Sequence, residues 1–198
     1  RQELIDEGFY FKSDSDSEVI CYMLKKEHYD NDKNVIDAIE AVCKKLVGSY
    51  ALTILVDGEL YGVRDPMGIK PLAVAKRDDD FVLASETVAF DVINAEYIRD
   101  IVPGEVIYFE NDEINSHMLE SAGKCKLSHC MFEYVYFARP DSTIDGINVY
   151  ETRMNIGRQL YELYPIDADV VIPVPDSSIP AAIGYSRASG IPYGEGLI

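Results

Sequence analysis

A short polar loop near the end of the chain has the residue types of an anion-binding site. It reads Pro175-Asp176-Ser177-Ser178. The loop lies between a predicted buried strand, 169–174, and a predicted helix, 179–189, and free N–H groups and the helix dipole favour an anion at such a helix start. Asp176 and Ser177 add oxygen atoms that Mg²⁺ accepts beside phosphates. The loop is therefore a candidate phosphate site, and the alternative is an ordinary Asx or Ser turn that caps the helix.

A second candidate is Asp16, in the run Ser15-Asp16-Ser17-Glu18. Ser15 and Glu18 form a capping-box pattern, which predicts that a helix starts here. A carboxylate at a helix start commonly acts as a cap. If Asp16 is functional, we expect it to pair with a substrate ammonium group.

Cys125 and Cys130 lie on either side of His129 and form the third candidate. Thiolates hold zinc or iron–sulfur clusters, but two cysteines do not fill a tetrahedral site, so idle or buried thiols are the alternative. The chain has four cysteines and no Cys-x-x-Cys, which indicates neither a disulfide framework nor a zinc ribbon.

The elements that must position these residues change character along the chain. Two helices come first, from Ser15 and over 35–46, and a meander of short strands follows, in which Asp57-Gly58 is a hairpin turn. This order predicts an α+β domain with a mostly antiparallel sheet. The loop 64–72 joins two of the strands, and we expect its Arg and Asp to pair or to satisfy backbone groups.

A boundary is predicted near Met131. A strand-like aromatic run, 131–138, is followed by a long helix over 148–164. The strand, loop and helix after it are the start of a parallel α/β unit. We therefore predict domains over 1–130 and 131–198.

Composition narrows the function classes. The chain has 198 residues, 47% of them hydrophobic, and a formal net charge of −17. Such an acidic chain would repel a phosphate backbone, so we expect no nucleic-acid partner. No window is apolar enough for a membrane span and no signal peptide is evident, so we expect no membrane contact. The few cysteines make a reducing, cytoplasmic setting the default expectation.

Several longer runs resemble the amidophosphoribosyltransferases, the glutamine-dependent enzymes that open purine synthesis. The runs are Ser15–Glu18, Arg64–Leu72, Ala84–Thr87, Val102–Glu105, Phe132–Ser142 and Val174–Ser178. The first runs are shared in looser form with other class II glutamine amidotransferases, whereas the last two are much narrower signals.

The resemblance implies a fold and an activity. It implies part of an N-terminal-nucleophile αββα glutaminase domain over 1–130 and the start of a type I phosphoribosyltransferase α/β domain over 131–198. Ammonia from glutamine would displace pyrophosphate from phosphoribosyl pyrophosphate and give 5-phosphoribosylamine. The family's nucleophile is an N-terminal Cys that this chain lacks. We therefore expect a segment cut at both ends and inactive alone.

The resemblance also implies roles for particular residues. Asp16 would bind the α-ammonium of glutamine, the loop 175–178 would receive the pyrophosphate, and Ser177 would contact Mg²⁺. Cys130 matches the first of four cysteines that hold a [4Fe–4S] cluster in one branch of the family. We expect the full-length protein to form a homo-oligomer.

Two alternatives stay open. Another class II amidotransferase, sugar-amidating or asparagine-forming, would share the Asp16 region but attach a different synthase domain, so the loop 174–178 discriminates between them. A regulatory relative could keep the fold and lack the chemistry.

Overall fold

The computed structural model describes residues 1–198 as layers of helices and antiparallel sheets. The helices are α1 (Gln2–Asp6), α2 (Asp16–Lys25), α3 (Val35–Cys43), α4 (Val88–Val92), α5 (Val149–Leu163) and α6 (Ile179–Ser189). The strands are β1 (Ala51–Val56), β2 (Glu59–Arg64), β3 (Ala73–Arg77), β4 (Asp80–Ala84), β5 (Glu96–Asp100), β6 (Glu105–Glu110), β7 (Glu113–Met118), β8 (Thr143–Ile144) and β9 (Ile147–Asn148). Two π-helical turns span Lys26–Asp30 and Glu133–Phe137. None of the helices combines the length and the apolar composition that a membrane crossing requires.

Two antiparallel sheets form the centre of the structure. The first has the strand order β1-β2-β6-β7 and the second has the order β4-β3-β5. The predicted hairpin between β1 and β2 is confirmed, because Asp57 and Gly58 both have positive φ angles, 52° and 88°, as a tight hairpin turn requires. Strands β8 and β9 form a separate small hairpin.

The hydrophobic core divides into layers because neighbouring strand residues face opposite ways. Helices α2 and α3 pack on the first sheet through one buried cluster, which consists of Leu24, Ile39, Val42, Cys43, Tyr61, Val63, Val106 and Leu119. A second cluster lies between the sheets and consists of Leu72, Val74, Ile101 and Ile107. A third places α4 on the second sheet through Ala73, Ala75 and Phe90. The layer order is therefore helix, sheet, sheet, helix, as the resemblance implies for this part of the chain.

Two sequence predictions for the later part of the chain are wrong in detail. The run 131–138 was expected to be a strand, but residues 133–137 form a π-helical turn. Tertiary contacts decide this, since the carbonyls of Tyr134 and Ala138 accept hydrogen bonds from the buried Arg153 guanidinium. The expected strand 169–174 is reduced to one parallel bridge, between Val171 and Tyr193.

Helices α5 and α6 cross at two glycines. A Cβ atom at Gly157 would overlap the carbonyl of Ala181, and one at Gly184 would overlap the carbonyl of Met154. The residue of each helix at the crossing must therefore be glycine, because the two backbones are in direct contact there. This contact fixes the position of α6 and of the loop that precedes it.

We expect the substitution Gly157→Ala to destabilise this helix pair. The higher helix propensity of Ala is worth about 1 kcal/mol, but overlap with the Ala181 carbonyl costs about 1–3 kcal/mol, and more if the helices must separate. Hydrogen exchange should accelerate in α5 and α6. Asn155→Ala, on the exposed side of α5, is the matched control, and equal protection in the two variants would contradict the crossing.

A buried carboxylate stabilises the first helical layer. Glu27, in the turn after α2, is only 5% exposed. It accepts hydrogen bonds from Lys33 Nζ at 2.6 Å, Lys45 Nζ at 2.9 Å and Asn31 Nδ2 at 3.1 Å. These donors, with Lys33 the strongest, lower the pKa of Glu27 from 4.5 to about 2.

The Glu27 cluster predicts a pH-dependent stability. Because the pKa of Glu27 is depressed, its stabilisation is complete above about pH 4.5 and is lost as the pH falls towards about 2. Glu27→Gln should cost about 2 kcal/mol at pH 7, with the difference from wild type shrinking over that range in denaturant titrations. Glu113→Gln, at an exposed site without a side-chain partner, should have little effect. A pH-independent difference would contradict the assignment.

Candidate functional site

A cavity of about 630 Å³ opens beside the start of α2. Its polar and charged lining comes from distant parts of the chain and consists of Arg1, Asp16, Ser17, Ser49, Lys70, Ser85 and Glu133, together with the Tyr50 phenol ring. The structure therefore brings Asp16 together with groups from three of the other motif runs. A cavity with charges of both signs suits a small zwitterionic ligand.

The start of α2 leaves the Asp16 carboxylate free. Ser15 is the N-cap and its hydroxyl accepts from Ser17 N–H at 3.2 Å. The Glu18 carboxylate does not return to Ser15 as in a standard capping box, and instead accepts the N–H groups of Lys12 and Ser13, both at 2.8 Å. Asp16 is exposed and has no side-chain partner in the chain. It can therefore accept hydrogen bonds from a ligand ammonium group.

The cations of the cavity are already paired. Lys70 Nζ donates to Glu133 Oε1 at 2.7 Å and lies 4.9 Å from the Phe137 ring centroid. The hydrogen bond to Glu133 raises the pKa of Lys70, so the amine stays charged. Arg1 forms an ion pair with Asp14 at 3.3 Å. The unpaired charge in this lining is therefore the carboxylate of Asp16.

The loop that carries Lys70 is organised by the preceding Asp. The Asp65 carboxylate accepts the backbone N–H groups of Met67 at 3.0 Å and of Ile69 and Lys70 at 3.3 Å. Asp65 is fully buried, so these bonds replace the water that its carboxylate loses. The prediction of an ordered loop in which the Asp satisfies backbone groups is confirmed.

The neighbouring Arg64 joins this loop to the later part of the chain. Its guanidinium is 1% exposed and contacts both Asp145 carboxylate oxygens, at 2.7 and 2.8 Å, and the carbonyls of Lys70 and Ile101. Burial disfavours the charged form of both groups, but the hydrogen bonds and charge attraction of the bidentate pair favour it more strongly. The pKa of Arg64 is raised and that of Asp145 is lowered, so both groups are ionised at neutral pH.

Two further side chains bind the same later segment. The Glu86 carboxylate accepts Arg139 N–H at 2.7 Å and the Ser142 hydroxyl at 2.8 Å. The Thr87 hydroxyl accepts Thr143 N–H at 2.9 Å. Residues 133–148 are therefore attached to the sheet layers by polar contacts at several points. The predicted boundary at 131 stays a prediction.

The second candidate loop lies about one turn before the α5–α6 crossing. Its Asp176 and Ser177 side chains have no partners in the chain, and the Ser178 hydroxyl donates to the Val174 carbonyl. No backbone acceptor is present for the N–H groups of residues 176–178. The first turn of α6 contains no acidic residue. These N–H groups and the start of α6 are therefore available to an anion. The loop does not line the cavity beside Asp16.

The cysteine candidate is less complete. Cys130 is partly buried and its N–H donates to the Ile69 carbonyl at 3.1 Å, while Cys125 is exposed. No group of three or more His, Cys, Asp or Glu side chains is close enough to hold a metal ion. The residues of this chain do not by themselves fit an iron–sulfur cluster.

The chain is similar to known proteins over its whole length. A family model described as a glutamine amidotransferase domain matches residues 1–92. The amidophosphoribosyltransferase of Methanothermobacter thermautotrophicus is 59% identical over all 198 residues, and that of Bacillus subtilis is 42% identical over the same length. The chain is similar to amidophosphoribosyltransferases from end to end. The similarity thus includes residues 93–198, which the family model does not reach.

A solved structure agrees with this similarity. The B. subtilis glutamine phosphoribosylpyrophosphate amidotransferase, complexed with ADP and GMP, matches all of this chain with a TM-score of 0.91 and 42% identity. This chain covers 42% of that one, and 41% and 40% of the two curated amidophosphoribosyltransferases. It therefore spans about two fifths of the length of the proteins it matches.

Lys70, Ser85 and Glu133 line the cavity but were not among the candidate residues predicted from the sequence. All three lie inside runs that resemble amidophosphoribosyltransferases, so the signal was present. Spacing along the chain could not show that these runs meet at the cavity beside Asp16, because the three residues lie 54 to 117 positions from Asp16 in the sequence.

The Arg and Asp of the loop 64–72 were expected to pair or to satisfy backbone groups. Asp65 does bind backbone N–H groups, whereas Arg64 pairs with Asp145, which the sequence did not indicate.

We expect Asp145→Asn to loosen the attachment of residues 133–148. It leaves the buried Arg64 guanidinium without its counter-charge, which costs about 3 kcal/mol. Hydrogen exchange should accelerate in 133–148 and in the loop 64–72. Asp141→Asn, which removes an exposed pair with Arg139, should cost less than about 0.5 kcal/mol. Similar losses in the two variants would contradict the role given to Arg64.

Proposed function

We propose that this chain is part of an amidophosphoribosyltransferase and contributes to both of its sites. Glutamine hydrolysis would give glutamate and ammonia. The ammonia nitrogen would then attack C1 of phosphoribosyl pyrophosphate, the C1–oxygen bond would break, and pyrophosphate would leave with the bonding electrons. Loss of a proton from nitrogen gives 5-phosphoribosylamine. The observation that carries this proposal is the match over the whole chain, beyond the amidotransferase domain.

The cavity at α2 supports the first half of this reaction. Asp16 offers a free carboxylate for the α-ammonium of glutamine, and charge-assisted bonds of this kind are strong. The cavity lining contains hydroxyls, carboxylates and cations but no thiol and no imidazole. In this proposal the cavity would bind glutamine, but its lining offers no thiol to attack the amide. We propose that a cysteine outside this chain is the nucleophile and that the chain alone is inactive.

The loop 175–178 supports the second half. Its free N–H groups and the start of α6 would receive the pyrophosphate of phosphoribosyl pyrophosphate, and residues 131–198 would begin a type I phosphoribosyltransferase domain. Mg²⁺ bound with the substrate would neutralise charge on the leaving pyrophosphate, and the Ser177 hydroxyl, which lacks a partner in the chain, would contribute to holding it. The Asp176 carboxylate would offer further oxygen atoms to the same Mg²⁺.

Three further parts of the proposal rest on the resemblance alone. Cys130 would be one ligand of a [4Fe–4S] cluster, whose other ligands would lie outside this chain. The full-length protein would be a homo-oligomer. It would act in the cytoplasm.

Asp16→Asn tests the proposal in the full-length protein. We expect a 10- to 100-fold rise in KM for glutamine, because a charged hydrogen bond worth about 1.5–3 kcal/mol is lost. The rate with added ammonia should stay unchanged. Ser177→Ala is the reciprocal variant and should raise KM for phosphoribosyl pyrophosphate only. Asp79→Asn, at an exposed carboxylate in the turn between β3 and β4 and away from the cavity, is the control.

The measurements are glutamate and pyrophosphate release with each substrate varied in turn. Wild-type protein that hydrolyses glutamine without consuming phosphoribosyl pyrophosphate would indicate another class II amidotransferase. Protein that releases neither product would indicate a non-catalytic relative. Either outcome would overturn the proposed function.

A further inference from the structure

The segment 9–15 leads into α2 and has no regular structure of its own. Residues 12–15 are all exposed, so apolar burial does not hold them. None of the N–H groups of residues 10–15 has a backbone acceptor. The position of Asp16, the first residue of α2, therefore depends on the side chains that bind this segment.

Glu18, in the first turn of α2, binds the segment through its carboxylate. It accepts Lys12 N–H and Ser13 N–H, each at 2.8 Å, and the Ser13 hydroxyl at 2.6 Å. The bond from Lys12 N–H is the largest of the effects that lower the pKa of Glu18, so this acceptor is ionised at neutral pH. The Ser13 hydroxyl also accepts Ser15 N–H at 3.3 Å, and Ser15 is the N-cap of α2. A series of hydrogen bonds thus connects Glu18 to the residue directly before Asp16.

Tyr22 holds the earlier part of the segment on the same face of α2. Residues four apart in a helix lie on one face, and the Tyr22 hydroxyl donates to the Tyr10 carbonyl at 2.8 Å. The Tyr22 ring also packs on Phe9 and Phe11, with ring centroids 5.2 and 5.0 Å apart. The segment therefore lies along the face of α2 that carries Glu18 and Tyr22.

Asp16 lies on a different side of α2, because residues two apart in a helix do not share a face. Asp16 lines the cavity, whereas Glu18 and Tyr22 do not, so neither of them is placed to contact a ligand there. Unrestrained helix ends fray at little cost in free energy. A binding group must be held within about 0.5 Å of its productive position. Asp16, at the first position of α2, therefore needs such a restraint.

We infer that Glu18 is a positioning residue that fixes the start of α2 and so holds the Asp16 carboxylate in place for the ammonium group of glutamine. The inference rests on the proposed function. A carboxylate that is already fixed loses little conformational freedom when the ligand binds, so the affinity is higher. Glu18 acts through the segment 9–15 and the N-cap and touches no substrate.

The test measures KM for glutamine in the full-length protein, from glutamate release. We expect Glu18→Gln to raise KM about fivefold, because an amide offers one acceptor oxygen where the carboxylate offers two. Both kcat with glutamine and the rate with added ammonia should stay within about twofold of wild type, since a loss of uniform substrate binding changes KM alone. Glu18→Asp keeps the charge but is one methylene shorter, and should raise KM as Glu18→Gln does. Glu113→Gln, the same change at an exposed site on β7, is the control and should keep the wild-type KM.

A double-mutant cycle separates positioning from a general loss of structure. Asp16→Asn already weakens the contact to the ligand, so adding Glu18→Gln to it should raise KM further by less than about twofold. A defect that spreads beyond Asp16 would raise KM equally in both backgrounds. Ser13→Ala, at an exposed position, removes only the hydroxyl between Glu18 and the N-cap and should raise KM about threefold. This milder variant tests the same connection if the Glu18 variants are unstable.

Three results would overturn the inference. The first is a wild-type KM for glutamine in Glu18→Gln or in Ser13→Ala. The second is an equal rise in KM when Glu18→Gln is made in the wild-type and Asp16→Asn backgrounds. The third is a wild-type KM in Glu18→Asp, because charge alone would then account for the role of Glu18. Failure of the proposed function is recognised separately, because Asp16→Asn by itself would then leave KM for glutamine unchanged.

Discussion

The buried guanidinium of Arg64 is the interaction on which the arrangement of this molecule depends. It lies at the end of β2 and binds the carbonyls of Lys70 and Ile101 and the carboxylate of Asp145. A buried charge needs all of its donors satisfied, so the loop after β2, the end of β5 and the later segment must meet at one point. Removing Asp145 would leave the guanidinium without its counter-ion, and removing either carbonyl would leave a buried N–H group unpaired.

This constraint explains how residues far apart in the chain can form one site. The loop fixed by Arg64 and Asp65 carries Lys70 into the cavity beside Asp16, and the attached later segment carries Glu133 to Lys70. The α5–α6 crossing at Gly157 then sets where the polar loop 175–178 lies. Each of these connections is a contact that tolerates little displacement. The first is a bidentate ion pair, the second is a charged hydrogen bond, and the third is a backbone-to-backbone approach of two helices. The two proposed sites therefore have a defined spatial relation.

Elements with strong local patterns were predictable from the sequence. The cap at Ser15, the Asp57-Gly58 hairpin and the long helix α5 follow from capping, turn chemistry and helical periodicity. The conformation of the aromatic run 131–138 was not predictable from local pattern. Its residues favour strands in isolation, but in the folded chain Arg153 donates to the Tyr134 and Ala138 carbonyls, which stabilises a helical turn. The expected strand 169–174 has backbone partners only at Val171, and a strand exists only where a neighbour completes its hydrogen bonds.

By itself, the sequence determined the layered α+β character, the acidic surface, the candidate residues Asp16 and 175–178, and the resemblance that connects them to one chemistry. Local propensities and short motifs act over a few residues, so one sequence is enough to read them. Only the tertiary structure decided that Lys70 and Glu133 share a cavity with Asp16, and that Asp145 is the partner of Arg64. Those contacts join residues 50 to 120 positions apart, and their energy arises from burial, which no local pattern records.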